Sequence, residues 1–324
     1  MFFWGIIFSV IKMCTALTYE TKDFYFGRNL DLERSYNERV VITPRNFELE
    51  MRHVESIKTH YAIIGMGSVI NNYPLYFEGI NEKGLSMAGL NFPGNADYKP
   101  FDGNLYNITP FEFIPYILAK CKNIYEVEKE LERINLVNEN FSDDLPLSPL
   151  HWIISDKNKS LTVECVKSGI KIYENHVGVL TNNPTFDYHI MNLNNYMSLS
   201  EGVSENNFSG DIKFENYSLG LGALGLPGDF SSASRFIKAT FVKYKSQSAK
   251  SEVESVNQFF HILDSVAMPK GCVLVRDGEY EYTRYSCCCN ALKGIYYYKT
   301  YDDFNIKKIE LSSYDLEKEI IYEA

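Results

Sequence analysis

Apolar residues over much of the chain come in short runs that alternate with polar residues and end at Gly, Asn or Pro. This period of two is typical of β-strands, because successive side chains of a strand point to opposite faces of its sheet. The predicted strands cover residues 15–20, 24–28, 40–44, 61–69, 75–79, 85–90, 151–155, 160–166, 171–173, 177–180, 272–276, 280–288, 294–300 and 306–311.

Other segments place apolar residues three and four positions apart, which is the period of an amphipathic helix. One of them carries Phe111, Ile114 and Leu118 on one face, and Pro115 is expected to kink it. The predicted helices cover residues 109–122, 124–134, 186–197, 234–245 and 253–267. Strands followed by helices and then by strands, with few β-α-β alternations, indicate an α+β protein built on antiparallel sheets.

Composition narrows the class of protein. The chain of 324 residues could hold one large domain or two ordinary ones, but it has no Gly/Ser linker and no internal repeat. We therefore expect residues 14–324 to form a single domain. The 32 basic and 42 acidic side chains give a net charge of −10, which argues against nucleic acid as a partner because phosphate binding needs a basic surface.

The first residues do not fit a standard targeting segment. Residues 2–11 carry no charge, yet the run is shorter than the roughly 20 residues of a membrane-spanning helix. No basic segment precedes it, and no small-residue cleavage site follows it. We expect residues 1–13 to be an extension that is absent from the mature protein, with Met13 as the natural start. The alternative is an atypical export or anchoring segment.

The cysteines point to a reducing compartment. Their number, seven, is odd and their spacing irregular, unlike a secreted disulfide framework. Three of them are consecutive, at positions 287–289, which does not match the C-x₂-C spacing of a zinc site. Reduced thiols in a cytoplasmic protein are the plain interpretation, and we expect neither a metal nor a cofactor.

A glycine-rich segment imitates a nucleotide-binding motif. Gly220, Gly222 and Gly225 satisfy the G-x-G-x-x-G pattern. That motif needs a buried strand before it and a helix opening through its glycines, whereas residues 209–218 are polar and Pro227 would break the helix. We interpret the segment as a loop with close backbone packing.

Cys14 becomes chemically distinctive if Met13 is removed. The thiol then lies beside a free α-amine, whose reference pKa of about 7.7–8.0 allows it to act as a base near neutral pH. A thiol with a pKa of about 8.5 needs little help to ionise, and a nearby guanidinium lowers that value. One residue thus supplies both the nucleophile and its base, so the site needs no histidine.

Five blocks in sequence order resemble the conjugated bile acid hydrolases, which belong to the choloylglycine hydrolase family of N-terminal-nucleophile enzymes. The blocks are CTA at 14–16, FGRNLD at 26–31, GLNFP at 89–93, LTN at 180–182 and GLPGDFSSASRF at 225–236. The resemblance extends from Cys14 almost to the C-terminus. It implies an αββα sandwich, in which two antiparallel sheets lie between helix layers, and assembly as a homotetramer.

The resemblance also implies roles around the nucleophile. Cys14 would attack an amide carbonyl and form a thioester. Arg28 would lie near the sulfur and favour its anionic form, while Asp31 would accept hydrogen bonds from the new α-amine and orient it. By composition alone, Arg28 and Asp31 could equally be a surface ion pair worth under about 1 kcal/mol.

Three further catalytic residues follow from the same resemblance. Asn91 and Asn182 would donate hydrogen bonds to the oxyanion, and Arg235 would complete the polar surroundings of the nucleophile. By composition, both asparagines are also ordinary turn residues. The related penicillin V acylases tend to carry tyrosine at the position of Asn91, so the asparagine favours bile salts as substrates.

The sequence therefore leads to one hypothesis with two alternatives. The first is an amidase that cleaves the C–N bond joining a bile acid to glycine or taurine. The second is a penicillin V acylase or a related acyl-amide hydrolase that uses the same groups. The third is a non-catalytic, membrane-associated ligand-binding protein held by residues 2–11, with Cys14 blocked by the residues before it.

Overall fold

The computed structural model describes residues 13–324, so the predictions made for residues 1–12 lie outside the described residues. The strands are β1 (Cys14–Glu20), β2 (Phe24–Leu32), β3 (Arg39–Thr43), β4 (Ile63–Ile70), β5 (Tyr73–Asn81), β6 (Ser86–Asn91), β7 (Tyr106–Ile108), β8 (Ile134–Leu136), β9 (Leu150–Ser155), β10 (Ser160–Val166), β11 (Gly169–Glu174), β12 (Val179–Leu180), β13 (Val273–Arg276), β14 (Glu279–Asn290), β15 (Ile295–Thr300), β16 (Lys307–Glu310) and β17 (Tyr322–Glu323). The α-helices are α1 (Pro110–Lys120), α2 (Ile124–Leu131), α3 (Phe186–Leu193), α4 (Ser232–Lys245) and α5 (Glu252–Asp264).

Two antiparallel sheets form the centre of the molecule. Sheet A has the order β12-β1-β2-β14-β15-β16, and β13 pairs with β14 beside this path. Sheet B has the order β11-β10-β9-β6-β5-β4-β3-β17. All nine residues of β2 are buried, as expected for a central strand with both faces covered. The separate pair β7-β8 is parallel.

Helices cover the outer face of each sheet. Helix α1 packs on β4, β5 and β6 of sheet B, while α4 and α5 pack on β1, β2, β12 and β14 of sheet A. The two sheets face each other where β1 and β2 meet β6. The result is a four-layer αββα sandwich, which confirms the predicted α+β class and layer order.

Helix α4 reaches the candidate site with its capped N-terminus. Ser231 caps the helix by accepting a hydrogen bond from the backbone of Ser234, and the last turn carries Lys243 and Lys245, whose charges suit the negative end of the helix dipole. The capped first turn holds Arg235 at the start of β1.

Several element boundaries differ from the sequence predictions. Strand β2 continues past the predicted end at residue 28 to Leu32, because its polar side chains find partners in the interior. The short strands β7 and β8 were not predicted, since three residues are too few to display a period. The helix predicted at 186–197 ends at Leu193 and continues as a short 3₁₀ turn, Asn194–Tyr196.

The glycine-rich segment has the predicted loop character. Among the described residues, none of 209–218 lies in a strand, and Leu221–Ala223 form a single 3₁₀ turn. A Cβ at Gly222 would come within 2.3 Å of the Ser200 hydroxyl, so the backbone packs closely there. Separately, no helix within residues 13–324 is both long and apolar enough to cross a membrane.

Candidate active site

Cys14 opens strand β1 and is buried, with 3% of its surface exposed. Its backbone N–H donates to Asn182 Oδ1 over 2.8 Å. Burial raises the pKa of the Cys14 thiol, whereas the Arg28 charge lowers the pKa and the Asp31 carboxylate raises it further. The Arg28 charge thus opposes burial and two carboxyls, Asp31 and Glu281, in setting the pKa of the thiol.

Arg28 faces the interior between the two sheets. The antiparallel register of β1 with β2 puts it on the same face of sheet A as Cys14. Its Nη1 donates to Gly89 O over 2.7 Å and to Phe77 O over 3.1 Å, both in sheet B. Nη2 has no partner among the described residues, so one guanidinium nitrogen remains available for a further acceptor.

A buried acid that the sequence analysis did not identify supports this arginine. Glu78 lies 3.8 Å from Arg28 Nη1 and is completely buried. It accepts hydrogen bonds from the hydroxyls of Tyr285 and Tyr296, each 2.6 Å long. A glutamate inside the apolar strand β5 was the available signal, because such a residue is rarely buried without partners.

Asp31 lies on the opposite face of β2, towards the helices. Its Oδ1 accepts from the Thr283 hydroxyl over 2.6 Å, while its Oδ2 is buried with no partner among residues 13–324. Its backbone N–H donates to Met13 O over 3.2 Å. Burial raises the pKa of Asp31 to about 6, and the nearby charge of Arg235 opposes that rise.

Asn182 and Arg235 bind the backbone of Cys14 from the other side. Asn182 Oδ1 accepts from Cys14 N and also from Arg235 Nη2, over 2.7 Å. Both neighbours are donors, so the amide oxygen must occupy this position. Arg235 Nη1 donates to Cys14 O and, over 2.7 Å, to Thr15 Oγ1. The start of β1 is therefore held by a charged hydrogen-bond network.

Asn91, the last residue of β6, supplies the free amide donor. Its backbone oxygen accepts from Asn182 Nδ2 over 2.8 Å, whereas its own Nδ2 is buried with no partner among the described residues. The structure thus brings Asn91 to the site through Asn182. A donating role for both asparagines stays a prediction, with the unpaired donor belonging to Asn91.

Two buried histidines fix the segment that carries Asn182. His151 Nε2 lies 2.9 Å from Thr181 O, and His189 Nε2 lies 2.9 Å from Asn182 O. Burial lowers the pKa of His189 to about 4, so the ring is neutral near pH 7. Scattered single histidines gave no sequence signal for this arrangement, because the residues meet only in the folded protein.

Neither a metal site nor a disulfide is built from the described residues. Within 13–324, no group of three or more His, Cys, Asp and Glu side chains could hold a metal ion. All seven cysteines are free thiols, and Cys272 is the exposed one.

Comparison with known proteins is consistent with this geometry. The family model described as "Linear amide C-N hydrolases, choloylglycine hydrolase family" matches residues 14–322. A bile salt hydrolase/transferase of Lactiplantibacillus plantarum is 53% identical over 322 residues, which is 96% of this chain and 99% of that protein. A conjugated bile acid hydrolase of Lactobacillus acidophilus is 40% identical, covering 94% of this chain and 98% of that protein.

Solved structures agree. A variant of the conjugated bile acid hydrolase from Clostridium perfringens superposes with a TM-score of 0.88 at 38% identity, covering 96% of each chain. Penicillin V acylase from Agrobacterium tumefaciens, with a TM-score of 0.72 and 21% identity over 96% of this chain and 90% of that one, shares the fold. The order of strands, the matched residues and the identities together establish that this chain belongs to the choloylglycine hydrolase family of linear amide C–N hydrolases.

Proposed function

We propose that this chain hydrolyses the amide bond that joins glycine or taurine to a bile acid. The observation that carries the proposal is the environment of Cys14: a thiol at the start of a strand, with its nitrogen bound to Asn182 and a guanidinium beside it. The names of relatives at 39–53% identity support bile salts as the substrate class.

The proposed nucleophile is Cys14 in a chain that begins at this residue. Its α-amine takes the thiol proton, and the sulfur attacks the amide carbonyl to give a tetrahedral oxyanion. Collapse of that intermediate breaks the C–N bond, and the leaving glycine or taurine nitrogen receives the proton from the α-ammonium. Water, deprotonated by the same amine, then hydrolyses the thioester and releases the bile acid.

Two neighbouring groups stabilise the negative charges that form during this reaction, first on the thiolate and then on the oxyanion. In this proposal Arg28 Nη2 donates to the thiolate and Asn91 Nδ2 donates to the oxyanion, since both are buried without a partner among residues 13–324. One positioned donor to an oxyanion is typically worth about 2.7–4 kcal/mol of transition-state stabilisation. In this proposal Asp31, Asn182 and Arg235 act on the α-amine side and keep its lone pair directed at the thiol.

An apolar wall next to Arg28 suits a steroid. Phe77, whose carbonyl accepts from Arg28, is half-buried, and its ring meets the ring of Tyr36 edge to face with centroids 6.5 Å apart. Aromatic surface of this kind buries apolar ligand area effectively. We propose that the bile acid nucleus lies against Phe77, which would place the amide near Cys14.

We further propose that the mature protein is one domain of residues 14–324. Strand β17 supports this extent, because Tyr322 pairs with Ile42 and ties the C-terminal end into sheet B. Removal of residues 1–13 is part of the proposal, since Cys14 must have a free amine. The free thiols favour the cytoplasm as its location.

A homotetramer is the proposed assembly. The segment between α3 and α4 exposes several large apolar side chains. Monomeric soluble proteins rarely expose large apolar patches, so another chain is expected to cover them. The exposed side chains are Met197, Val203, Phe208, Ile212, Phe214, Tyr217, Leu219 and Leu224. Sedimentation velocity would test the assembly, and a monomer at micromolar concentration would contradict it.

The activity test uses protein whose intact mass shows Cys14 as its first residue. Incubation with glycine- and taurine-conjugated bile salts is expected to release free amino acid. Phenoxymethyl penicillin serves as the competing substrate, and faster turnover of it would favour the acylase alternative. A chain from its native cells that retains residues 1–13 and releases no amino acid would instead favour the blocked, non-catalytic alternative.

A further inference from the structure

Glu281 is a buried acid beside the start of β1 that the mechanism above does not use. It lies in β14, and its residue is only 1% exposed. Its Oε1 accepts a hydrogen bond from the backbone nitrogen of Met13, and its Oε2 is buried with no partner among residues 13–324. A buried carboxyl with one oxygen unsatisfied is costly, so a further donor is expected there.

The strand register puts Glu281 on the same face as Asp31. Thr283 pairs with Asp31 across β14 and β2, and residues two apart in a strand share a face. Asp31 also has one oxygen without a partner, as does the carboxyl of Glu33, whose side chain is 6% exposed. Glu281 thus has two neighbouring carboxyls, Asp31 and Glu33, and each of the three has an oxygen without a partner among the described residues.

Neighbouring charges on the whole disfavour the ionised form of Glu281. Arg235 of α4 lowers the pKa of Glu281, while the carboxyls of Asp31 and Glu33 raise it. Burial raises the pKa of Glu281 to about 8, with Asp31 adding to the rise and the Met13 N–H opposing it. Arg235 itself donates its Nη1 and Nη2 hydrogen bonds to Cys14 O, Thr15 Oγ1 and Asn182 Oδ1.

Removal of residues 1–13 changes both the hydrogen-bond donor to Glu281 and the positive charge near it. Glu281 loses the Met13 N–H, and Cys14 gains an ammonium group with three N–H donors and a positive charge. The nitrogens of Met13 and Cys14 are one residue apart, which is at most about 3.3–3.6 Å along the chain. Rotation of the Glu281 side chain spans that distance, and Met13 no longer occupies the space.

We propose that Glu281 is a positioning residue that binds the α-amine of Cys14 once Met13 has left. Together with Asp31 and Asn182, it accepts hydrogen bonds from the amine and so fixes the direction of the nitrogen lone pair relative to the thiol. Glu281 thus binds the Met13 nitrogen in the extended chain and the Cys14 nitrogen in the trimmed chain. The inference rests on the proposed function only in taking Cys14 as the first residue.

The test compares Glu281→Gln with Glu279→Gln in chains that start at Cys14. Glu279 lies in the same strand, but it is partly exposed and pairs with Arg276, so it controls for loss of a charge. The probe is iodoacetamide, with alkylation of Cys14 followed by mass spectrometry from pH 5 to 10. Release of amino acid from conjugated bile salts gives kcat and KM on the same preparations.

Glu281→Gln is expected to move the alkylation midpoint about 1 pH unit towards acid, because a negative charge beside the amine and thiol is gone. We expect kcat to fall about 10-fold, by the loss of amine positioning, with KM changed less than 2-fold. Glu281→Asp, which keeps the charge, should keep the parent midpoint. If Glu281→Gln fails to fold, Glu281→Asp tests the contact through kcat, because its shorter side chain should bind the amine less well, and a parent-like kcat would then overturn the inference.

Two results would overturn the inference. One is a Glu281→Gln protein with the same midpoint and kcat as Glu279→Gln. The other is an unchanged midpoint together with slower removal of residues 1–13 from the full chain, which would mean that Glu281 serves the extension alone. A parent chain that releases no amino acid, while Glu281→Gln still shifts the midpoint, would instead reject the proposed function and retain the inference.

Discussion

The two ends of strand β1 both meet helix α4, but their buried polar groups are satisfied to different degrees. At the start of β1, each of the three side-chain nitrogens of Arg235, from the first turn of α4, has an acceptor. Its neighbours Asn91 Nδ2 and Asp31 Oδ2 have no partner among the described residues. At the other end, Lys243 from the last turn of α4 has an acceptor for each of its three N–H bonds.

At the end of β1 that meets Lys243, which we call the far end, the ammonium group has all its hydrogen-bond acceptors. Lys243 Nζ donates to Thr18 Oγ1 over 3.0 Å, to Val177 O over 2.6 Å and to Gly178 O over 3.3 Å. Gly178 has φ of +61°, and a Cβ there would come within 2.2 Å of Thr18 Oγ1 and 2.6 Å of Nζ, so both the backbone and the packing favour glycine. A cleft of about 770 Å³ opens beside this lysine, yet the ammonium has no bond left for a ligand.

Hydrogen-bond satisfaction thus distinguishes Lys243, which stabilises the fold, from the unpaired groups at the start of β1, which can still bind a reactant. A buried polar atom without a partner costs about 1–3 kcal/mol, so proteins keep few of them. Those at the start of β1 cluster around one thiol, where a substrate or a new α-amine would bind them. Substitutions at this end should therefore impair activity more than stability, and substitutions at the far end should do the reverse.

The largest expected effect comes from Cys14→Ala, which removes the proposed nucleophile. We expect hydrolysis of conjugated bile salts to fall at least about 10⁴-fold in kcat/KM. Cys121→Ala, which removes an equally buried thiol from the α1 layer, is the control and should retain activity. Amino acid release measures both, and residual turnover above 1% of the parent in Cys14→Ala would contradict the assignment.

The next effect tests the unpaired donor of Asn91. Asn91→Ala should lower kcat about 10²- to 10³-fold, because an oxyanion donor is lost, while the melting temperature stays within a few degrees of the parent. Asn158→Ala, at the exposed rim of the far cleft, should change neither quantity. A rise in KM with kcat unchanged would show that Asn91 binds substrate without stabilising the oxyanion.

Lys243→Met should give the opposite pattern. Loss of the ammonium leaves the acceptors of the 177–178 turn unsatisfied, which is expected to lower the free energy of unfolding by about 2 kcal/mol. Activity per folded molecule should remain within about 2-fold of the parent. Urea unfolding and steady-state kinetics measure the two quantities, and a large fall in kcat would mean that the two ends of β1 are coupled.

The smallest effect concerns His189, whose Nε2 lies at Asn182 O. Its pKa is about 4 in the folded protein, below the unfolded value of about 6.5, so the unfolded state binds more protons between these values. Its contribution to stability is therefore present above pH 6.5 and is lost as the pH falls towards 4. Across that window the parent should lose about 1–2 kcal/mol more than His189→Gln, measured by urea unfolding.

His176→Gln controls for a general effect of histidine loss, because His176 is exposed. It should follow the parent through the same pH range. A His189→Gln protein with the parent's pH dependence would mean that other groups cause the acid instability. Asp31 is not among them, because its pKa is raised in the folded protein and it therefore favours the folded state at low pH.

Local sequence pattern predicted the elements best where one residue type dominates a face. The predicted strand 160–166 coincides with β10, in which five consecutive residues are buried, and the predicted start of α2 at residue 124 follows the capping residue Asn123. The pattern failed along the second half of β2, where Asn29 and Asp31 resemble loop residues. Their burial depends on Ser286 and Thr283 of β14, more than 250 positions away.

The sequence by itself determined the α+β class of the fold, because strand and helix periods are local properties of the chain. The αββα layer order and the six candidate residues came from the resemblance of its short motifs to a family. Only the tertiary structure decided which polar atoms have partners. Arg235 and Cys14 are 221 positions apart, and Glu281 meets Met13 across 268. Hydrogen-bond satisfaction depends on distances between atoms from β1, β2, β6, β14 and α4, and folding alone brings these elements together.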